Sequence, residues 1–220
     1  MRASMFNLIE LGKIALVQVA PRTLKEGTAT HEQYEPAHLQ TMAALEIGPR
    51  GVVGVRQDGR RVLDVHHVDH PHSRFRGANS IALGCTSHYE MLRRRFGAHM
   101  TSSCGGENIM IDTRQIVTLD DLKRYLVLYD QEQGQYWALG QARVAEPCAP
   151  FARFVAGTSA AGPTLRGALQ ALRGGMRGFY LQPSPGQTPL QVRSGDMVYA
   201  TDTLPITVAR QAVLWHVGAR

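Results

Sequence analysis

Short apolar runs recur at close spacing along the chain, each bounded by turn-forming residues. Residues 12–20 (GKIALVQVA) make the first run and stop at Pro21, which predicts a strand. Residues 22–36 are polar and turn-rich and predict an excursion loop. A short strand is predicted over 43–47, closed by Gly48-Pro49-Arg50-Gly51, and Arg56-Gln57-Asp58-Gly59 turns the chain into another over 61–67. Residues 79–83 and 107–111 read the same way. A hairpin is predicted from 126–129 and 136–145 across Glu132-Gln133-Gly134-Gln135. Strands over 176–181, 190–192 and 197–200 follow, with turns at Pro183-Ser184-Pro185-Gly186 and Ser194-Gly195-Asp196.

Helical periodicity is rarer. Ser87 and Glu90 stand at capping-box spacing, and Tyr89, Leu92 and Phe96 share one face until Gly97. Thr118 with Asp121 begins a short helical turn. Residues 164–172 place Leu165, Leu169 and Leu172 inward, with Gly174 as the C-cap. Many short strands and few helices predict a mainly β, α+β fold, a barrel or sandwich carrying peripheral helices. One domain is expected over 12–202, with 203–220 packing on it or trailing from it, because no repeat or composition break divides the chain.

Composition changes this picture little. With 220 residues, 44% hydrophobic and 19% charged, the chain can bury a substantial core, and disorder is not expected. The formal charge of +6 favours anionic partners. The arginines are scattered, however, and no helix-turn-helix, RNP or finger pattern accompanies them, so nucleic acid is not the expected partner. No apolar run reaches the ~20 residues that cross a bilayer, and no signal-peptide pattern opens the chain. Membrane insertion is not expected. Cys85, Cys104 and Cys148 are odd in number and lack CxxC spacing, which points away from a disulfide framework and towards a reducing compartment, the cytoplasm.

Four segments could carry chemistry, and each has a plainer alternative. Cys148 lies between Pro147 and Pro150, whose rings restrict the backbone on either side. A thiolate held on such a loop suits a soft metal ligand or a persulfide carrier, whereas a buried, inert cysteine fits the composition as well. In Ser102-Ser103-Cys104-Gly105-Gly106-Glu107-Asn108, the paired glycines allow close backbone approach and offer amides to an anion. Glu107 and Asn108 could bond a heterocycle's polar edge or simply satisfy nearby backbone.

The third segment runs from His66 to Arg76. If it is extended, His66, His70 and His72 share a face that could bind zinc, while Arg74 and Arg76 offer fork-shaped donors to a phosphate. Surface histidines in a loop are the ordinary alternative. In Gly175-Met176-Arg177-Gly178-Phe179-Tyr180, Gly178 permits a close contact or bulge, and Arg177 either faces a ligand or lies outside. The phosphate fingerprints GxGxxG and P-loop are absent, as is the GxSxG elbow.

The order of these motifs resembles the MOSC family, a domain also found at the C-terminus of molybdenum-cofactor sulfurases. Gly106-Glu107-Asn108-Ile109, a Pro-Cys pair about forty residues later, Gly-Met-Arg-Gly-Phe-Tyr at 175–180 and then Gly195-Asp196 follow that pattern. Asn79-Ser80-Ile81, leading into the helix with His88-Tyr89 that ends in Arg95-Phe96-Gly97, also sits where such proteins carry a strand and helix. The likeness spans roughly 12–202. It implies a MOSC-type β-barrel and molybdenum-cofactor (molybdopterin) binding, with Cys148 as molybdenum ligand or sulfur carrier. Asn108, Glu107, Asn79 and Ser80 would lie against the pterin, and Arg74 or Arg177 would neutralise the phosphate. The implied activity is reduction of an N-hydroxylated small molecule or base, using electrons from an external donor protein. The alternative is a persulfide or cofactor carrier served by a sulfur-donor protein. Pyridoxal phosphate is not expected.

Overall fold

The structure is a computed structural model, and it describes residues 7–28, 32–130, 134–157, 160–183 and 190–204. Its strands are β1 (Ile9–Val19), β2 (Lys25–Glu26), β3 (Gln33–Tyr34), β4 (Gln40–Thr41), β5 (Ala44–Gly48), β6 (Gly51–Val55), β7 (Arg61–Leu63), β8 (Ile81–Cys85), β9 (Ile109–Asp112), β10 (Tyr125–Asp130), β11 (Gln135–Val144), β12 (Phe179–Pro183), β13 (Leu190–Val192) and β14 (Met197–Thr201). Three helices interrupt them: α1 (Thr86–Phe96), α2 (Ala149–Ala156) and α3 (Gly162–Ala171).

The main sheet runs β14-β10-β11-β12-β8-β9-β1-β4, and a further pairing of β14 with β1 closes it into a ring. Closure depends on β1. Its first half pairs with β14 and its second with β9, the two ladders meeting at Lys13. Register shifts between Glu10 and Gly12 and between Ile14 and Leu16 bend the strand there, as bulges do. The β8–β9 pairing is parallel, whereas the other pairings are antiparallel. A smaller sheet, β13-β5-β6-β7, packs beside the ring.

Period-2 alternation sorts side chains between two cores. Ile81, Leu83 and Cys85 of β8 and Ile109 and Ile111 of β9 enter the ring's interior with Ile14, Val17 and Phe179. Met110, between the two isoleucines, points the other way into a second core with Tyr89, Leu92, Phe151, Val155, Ala168 and Leu172. Because β9 is covered on both faces, its sequence is a continuous apolar run rather than an alternating one.

Most predicted strands form with ends shifted by a few residues. The exceptions have local causes. Residues 61–67 hold a strand only to Leu63, because Asp64 then caps a series of turns: its carboxylate accepts the His66 N–H at 2.8 Å. There is no capping box on α1. Its N-cap is Cys85, and Ser87 lies inside the first turn, where its hydroxyl donates to the Gln115 carbonyl at 2.7 Å. Tyr89 and Leu92 are nevertheless buried as predicted, and Gly97 ends the helix.

Helix α2 is absent from the pattern reading. Pro150 sits in its first turn, where a missing N–H costs nothing, and Phe151, Ala152 and Val155 form its buried face. Eight residues beginning between two prolines carry too little periodicity to announce a helix. Ser184, Pro185 and Gly186 of the turn after β12, Glu132 and Gln133 of the hairpin turn, and residues 205–220 lie outside the described residues.

Candidate functional site

The site is built where β8, β9 and β12 meet the loops flanking them. Gln18 of β1 is buried, and its amide donates to the carbonyls of Ser103 and Glu107, both at 2.9 Å. Those two bonds pin the glycine turn 103–107 at both ends. Tyr89 of α1 holds the turn from beneath: its hydroxyl accepts the Gly105 N–H at 2.8 Å and donates to Glu107 Oε2 at 2.8 Å. Gly105 and Gly106 pack where side chains do not fit. A Cβ on Gly105 would stand 2.5 Å from Glu107 Oε1, and one on Gly106 would stand 2.8 Å from Leu24.

Above this turn lies a cavity of about 220 Å³. Cys148, Arg177, Arg74, Arg76, Lys25 and His66 line it, along with Tyr34, Tyr180, Asn79, Glu146, Gly105 and Gly106. Four permanent cations therefore face one exposed wall carboxylate, Glu146. None of the ion pairs among the described residues involves Arg177, Arg74, Arg76 or Lys25. A cavity so charged favours an anion.

The sequence-predicted residues divide into those that line the cavity and those that support it. Cys148, Arg74, Arg177, Asn79 and His66 come together at its wall. Asn79 holds the arginine loop, since its Oδ1 accepts the Arg76 N–H at 2.8 Å and its Nδ2 donates to the Arg74 carbonyl at 3.1 Å. Asn108 and Ser80 stay in the scaffold. The Asn108 amide donates to the Gln18 carbonyl and to Asp64 Oδ2, and its oxygen accepts the Ala82 N–H, which leaves no donor for a ligand. Ser80 is buried with its hydroxyl 3.4 Å from the Leu181 carbonyl. Glu107 lies under the turn, where burial pushes its carboxyl above the ordinary range despite the nearby Arg177 charge. Its Oε1 has no hydrogen-bond partner among the described residues.

The histidines do not form the metal face that an extended segment would give. The chain from His66 to His72 runs through turns rather than a strand, and the His70 and His72 rings stay near each other, 6.3 Å between centroids, without His66 joining them as a third ligand. His70 is already engaged on both ring nitrogens, with Nε2 2.9 Å from the Pro21 carbonyl and Nδ1 accepting the His72 N–H at 3.1 Å. His66 turns to Asp64, 3.1 Å away, and no group of three metal-binding side chains occurs among the described residues. The zinc alternative loses its geometric basis.

The three thiols differ sharply. Burial pushes Cys85 and Cys104 up to about 12, so both remain protonated near neutrality. Cys148 is half-buried at the N-cap of α2 and opens on the cavity.

Two residues with no sequence signal matter here. Tyr34 contributes an aromatic wall, with ring centroids 4.9 Å from Phe151 and 5.7 Å from Phe154. Asp64, fully buried, accepts from the N–H groups of Ala20 and His66 and from the Asn108 amide, tying β1, β9 and the histidine loop together. Burial works to raise the Asp64 carboxyl, but the His66 and Ala20 donors outweigh it and hold the group below its usual value. A carboxylate lowered in this way stabilises the fold above its unfolded value of about 3.9, and the contribution is lost as pH falls through the folded value. The stability gap between the wild-type protein and Asp64→Asn, measured by denaturant unfolding, is therefore expected to be widest at neutral pH. It should narrow as pH falls below about 4 and close only beneath the folded value.

No protein-family model and no curated protein sequence matches the chain. Solved structures do. The YuaD protein from Bacillus subtilis superposes with a TM-score of 0.54 at 13% identity, covering 89% of this chain and 97% of that one. YiiM from Geobacillus stearothermophilus gives 0.50 at 13% identity, covering 94% and 86%. At such identity the likeness concerns the fold alone. Both neighbours are of the MOSC-domain type, so the resemblance read from the ordered motifs has support at the level of the fold.

Proposed function

We propose that the cavity binds the molybdenum cofactor and that the protein reduces the N–O bond of small N-hydroxylated compounds. The observation that carries this reading is the meeting of one half-buried thiol, Cys148, with four cations that have no ion-pair partner among the described residues, all on the wall of one cavity. The residues present fit such a group. Cys148 offers a sulfur donor to the metal, and Arg74, Arg76 and Lys25 offer charge to a phosphate. Gly105 and Gly106 leave a floor without side chains, and buried polar atoms of Tyr34 and Arg177 lack partners among the described residues.

When bound, the cofactor would supply the two-electron step in which R–NH–OH, two electrons and two protons give R–NH2 and water. The chain's own part is to hold and shield. Asn79 orients the arginine loop, Gln18 and Tyr89 keep the glycine turn in place, and Asn108, Ser80 and Glu107 support that frame from below. Electrons come from an external donor protein. Molybdenum and oxidised-pterin fluorescence, measured together on protein purified from a cofactor-competent host, test this reading. Near-stoichiometric amounts of both are expected. Neither being found, with no binding on reconstitution, would overturn it.

A second reading treats Cys148 as a sulfur carrier, favoured by its being the most accessible of the three thiols. A donor persulfide would pass its outer sulfur to Cys148 and leave as a thiol. Intact-mass analysis would then show the gain of one sulfur atom, abolished by Cys148→Ser alone.

A further inference from the structure

Arg177 and Tyr34 each present a buried polar atom without a partner among the described residues. The Arg177 guanidinium is fixed on three sides: Nη2 donates to the Gly105 carbonyl at 3.2 Å, Nη1 lies 3.5 Å from the Tyr180 hydroxyl, and Cζ sits 5.5 Å from the Phe151 ring centroid. Its Nε–H has no acceptor among the described residues. Tyr34 is fixed by its ring contacts with Phe151 and Phe154, and its hydroxyl likewise has no hydrogen-bond partner among the described residues. Both residues line the cavity, and Phe151 touches both.

An orphaned buried donor is costly unless something satisfies it. Phenylalanine at position 34 would keep the ring contacts and escape that cost, so the hydroxyl makes no sense as packing. Two rigid donors over a glycine floor, in a cavity with a surplus of positive charge, suit an acceptor that is anionic and oxygen-rich.

We infer that Tyr34 O–H and Arg177 Nε–H form a two-donor seat for an oxyanion beside the Cys148 thiol. The seat selects ligands that present a carboxylate, phosphate or similar oxygen group to the cavity floor. Arg74 and Arg76 on their loop and Lys25 of β2, all at the cavity wall, contribute long-range charge rather than this directed contact. The inference rests on the cavity being the ligand site proposed above, but it does not require molybdenum.

The test therefore uses full-length, metal-free protein and inorganic phosphate as the probe. Calorimetry gives the affinity, and side-chain arginine resonances report Nε–H directly. Phosphate is expected to shift the Arg177 Nε–H signal. Tyr34→Phe and Arg177→Lys should each weaken binding about tenfold, the loss expected for one charge-assisted hydrogen bond. Lysine keeps the charge, so its failure would report direction rather than attraction. Tyr34→Phe removes a hydroxyl that has no hydrogen-bond partner among the described residues, and its melting temperature should be unchanged or higher, separating lost binding from lost fold. Arg74→Ala should leave the Arg177 shift in place. Binding unaffected by Tyr34→Phe, binding lost only in Arg74→Ala, or no binding at all would each overturn the seat. Absence of molybdenum from the purified wild-type protein, by contrast, would overturn only the cofactor assignment.

Discussion

Cys148→Ser is expected to reduce molybdenum content to background and to abolish N–O reduction. Serine keeps the size of the side chain but replaces a soft sulfur donor with a hard hydroxyl oxygen. Loss of the ligand itself should exceed the roughly 10–100-fold penalty seen when only an outer-shell partner of a metal ligand changes. Cys85→Ser and Cys104→Ser provide the contrast. Both thiols are buried in apolar cores and held protonated, so these variants should lose stability while the surviving folded protein keeps its metal. Metal content per folded molecule, with turnover measured beside it, separates the three. Equal molybdenum in Cys148→Ser and wild-type protein would remove Cys148 from the proposed role.

Gly178→Ala should cost a large part of the stability through a single added methyl group. Gly178 has φ +107°, a backbone region costly for any residue with a Cβ. The added atom would also lie 2.4 Å from the Leu83 carbonyl oxygen, which is backbone and cannot swing aside. That carbonyl belongs to β8, the strand to which β12 pairs at Phe179, so relief of the clash must part the ring where Arg177 is seated. A penalty of about 3 kcal/mol or more is expected, combining left-handed strain with steric overlap. For a chain of this size that is a fall in melting temperature of roughly 6–12 °C. Anion binding should weaken as well, because Arg177 is the preceding residue. Unchanged thermal unfolding in Gly178→Ala would contradict the close approach of β12 to β8.

Much of the fold is legible in the sequence because strand alternation and turn chemistry are local. Pro21, the Gly48–Gly51 cluster and Asp58-Gly59 punctuate the chain wherever the tertiary context lies, and the strands expected next to them form, although β6, which starts on the last glycine of that cluster, has no counterpart in the sequence pattern. Gly178 was readable for the same reason, since a glycine inside an apolar run implies a close approach. The residues now at the cavity were readable only in part. Cys148, Arg177, Arg74 and Asn79 stood out by motif or by residue type, and they do converge. Asn108 stood out equally but is consumed by Gln18, Asp64 and Ala82. A motif names a position without saying which way its side chain turns.

What the sequence determines by itself is therefore the β-rich class, most strand positions, and a short list of side chains able to do chemistry. What only the tertiary structure decides is which of them share a space. Tyr34 lies over a hundred residues from Cys148, in a two-residue strand within a turn-rich stretch, and no periodicity marks it. Its place at the cavity wall depends on Phe151 and Phe154 of α2, a helix that the sequence pattern does not announce. Hydrophobic period and turn residues report each segment's own preferences, whereas the cavity is made by contacts between segments that ring closure brings together.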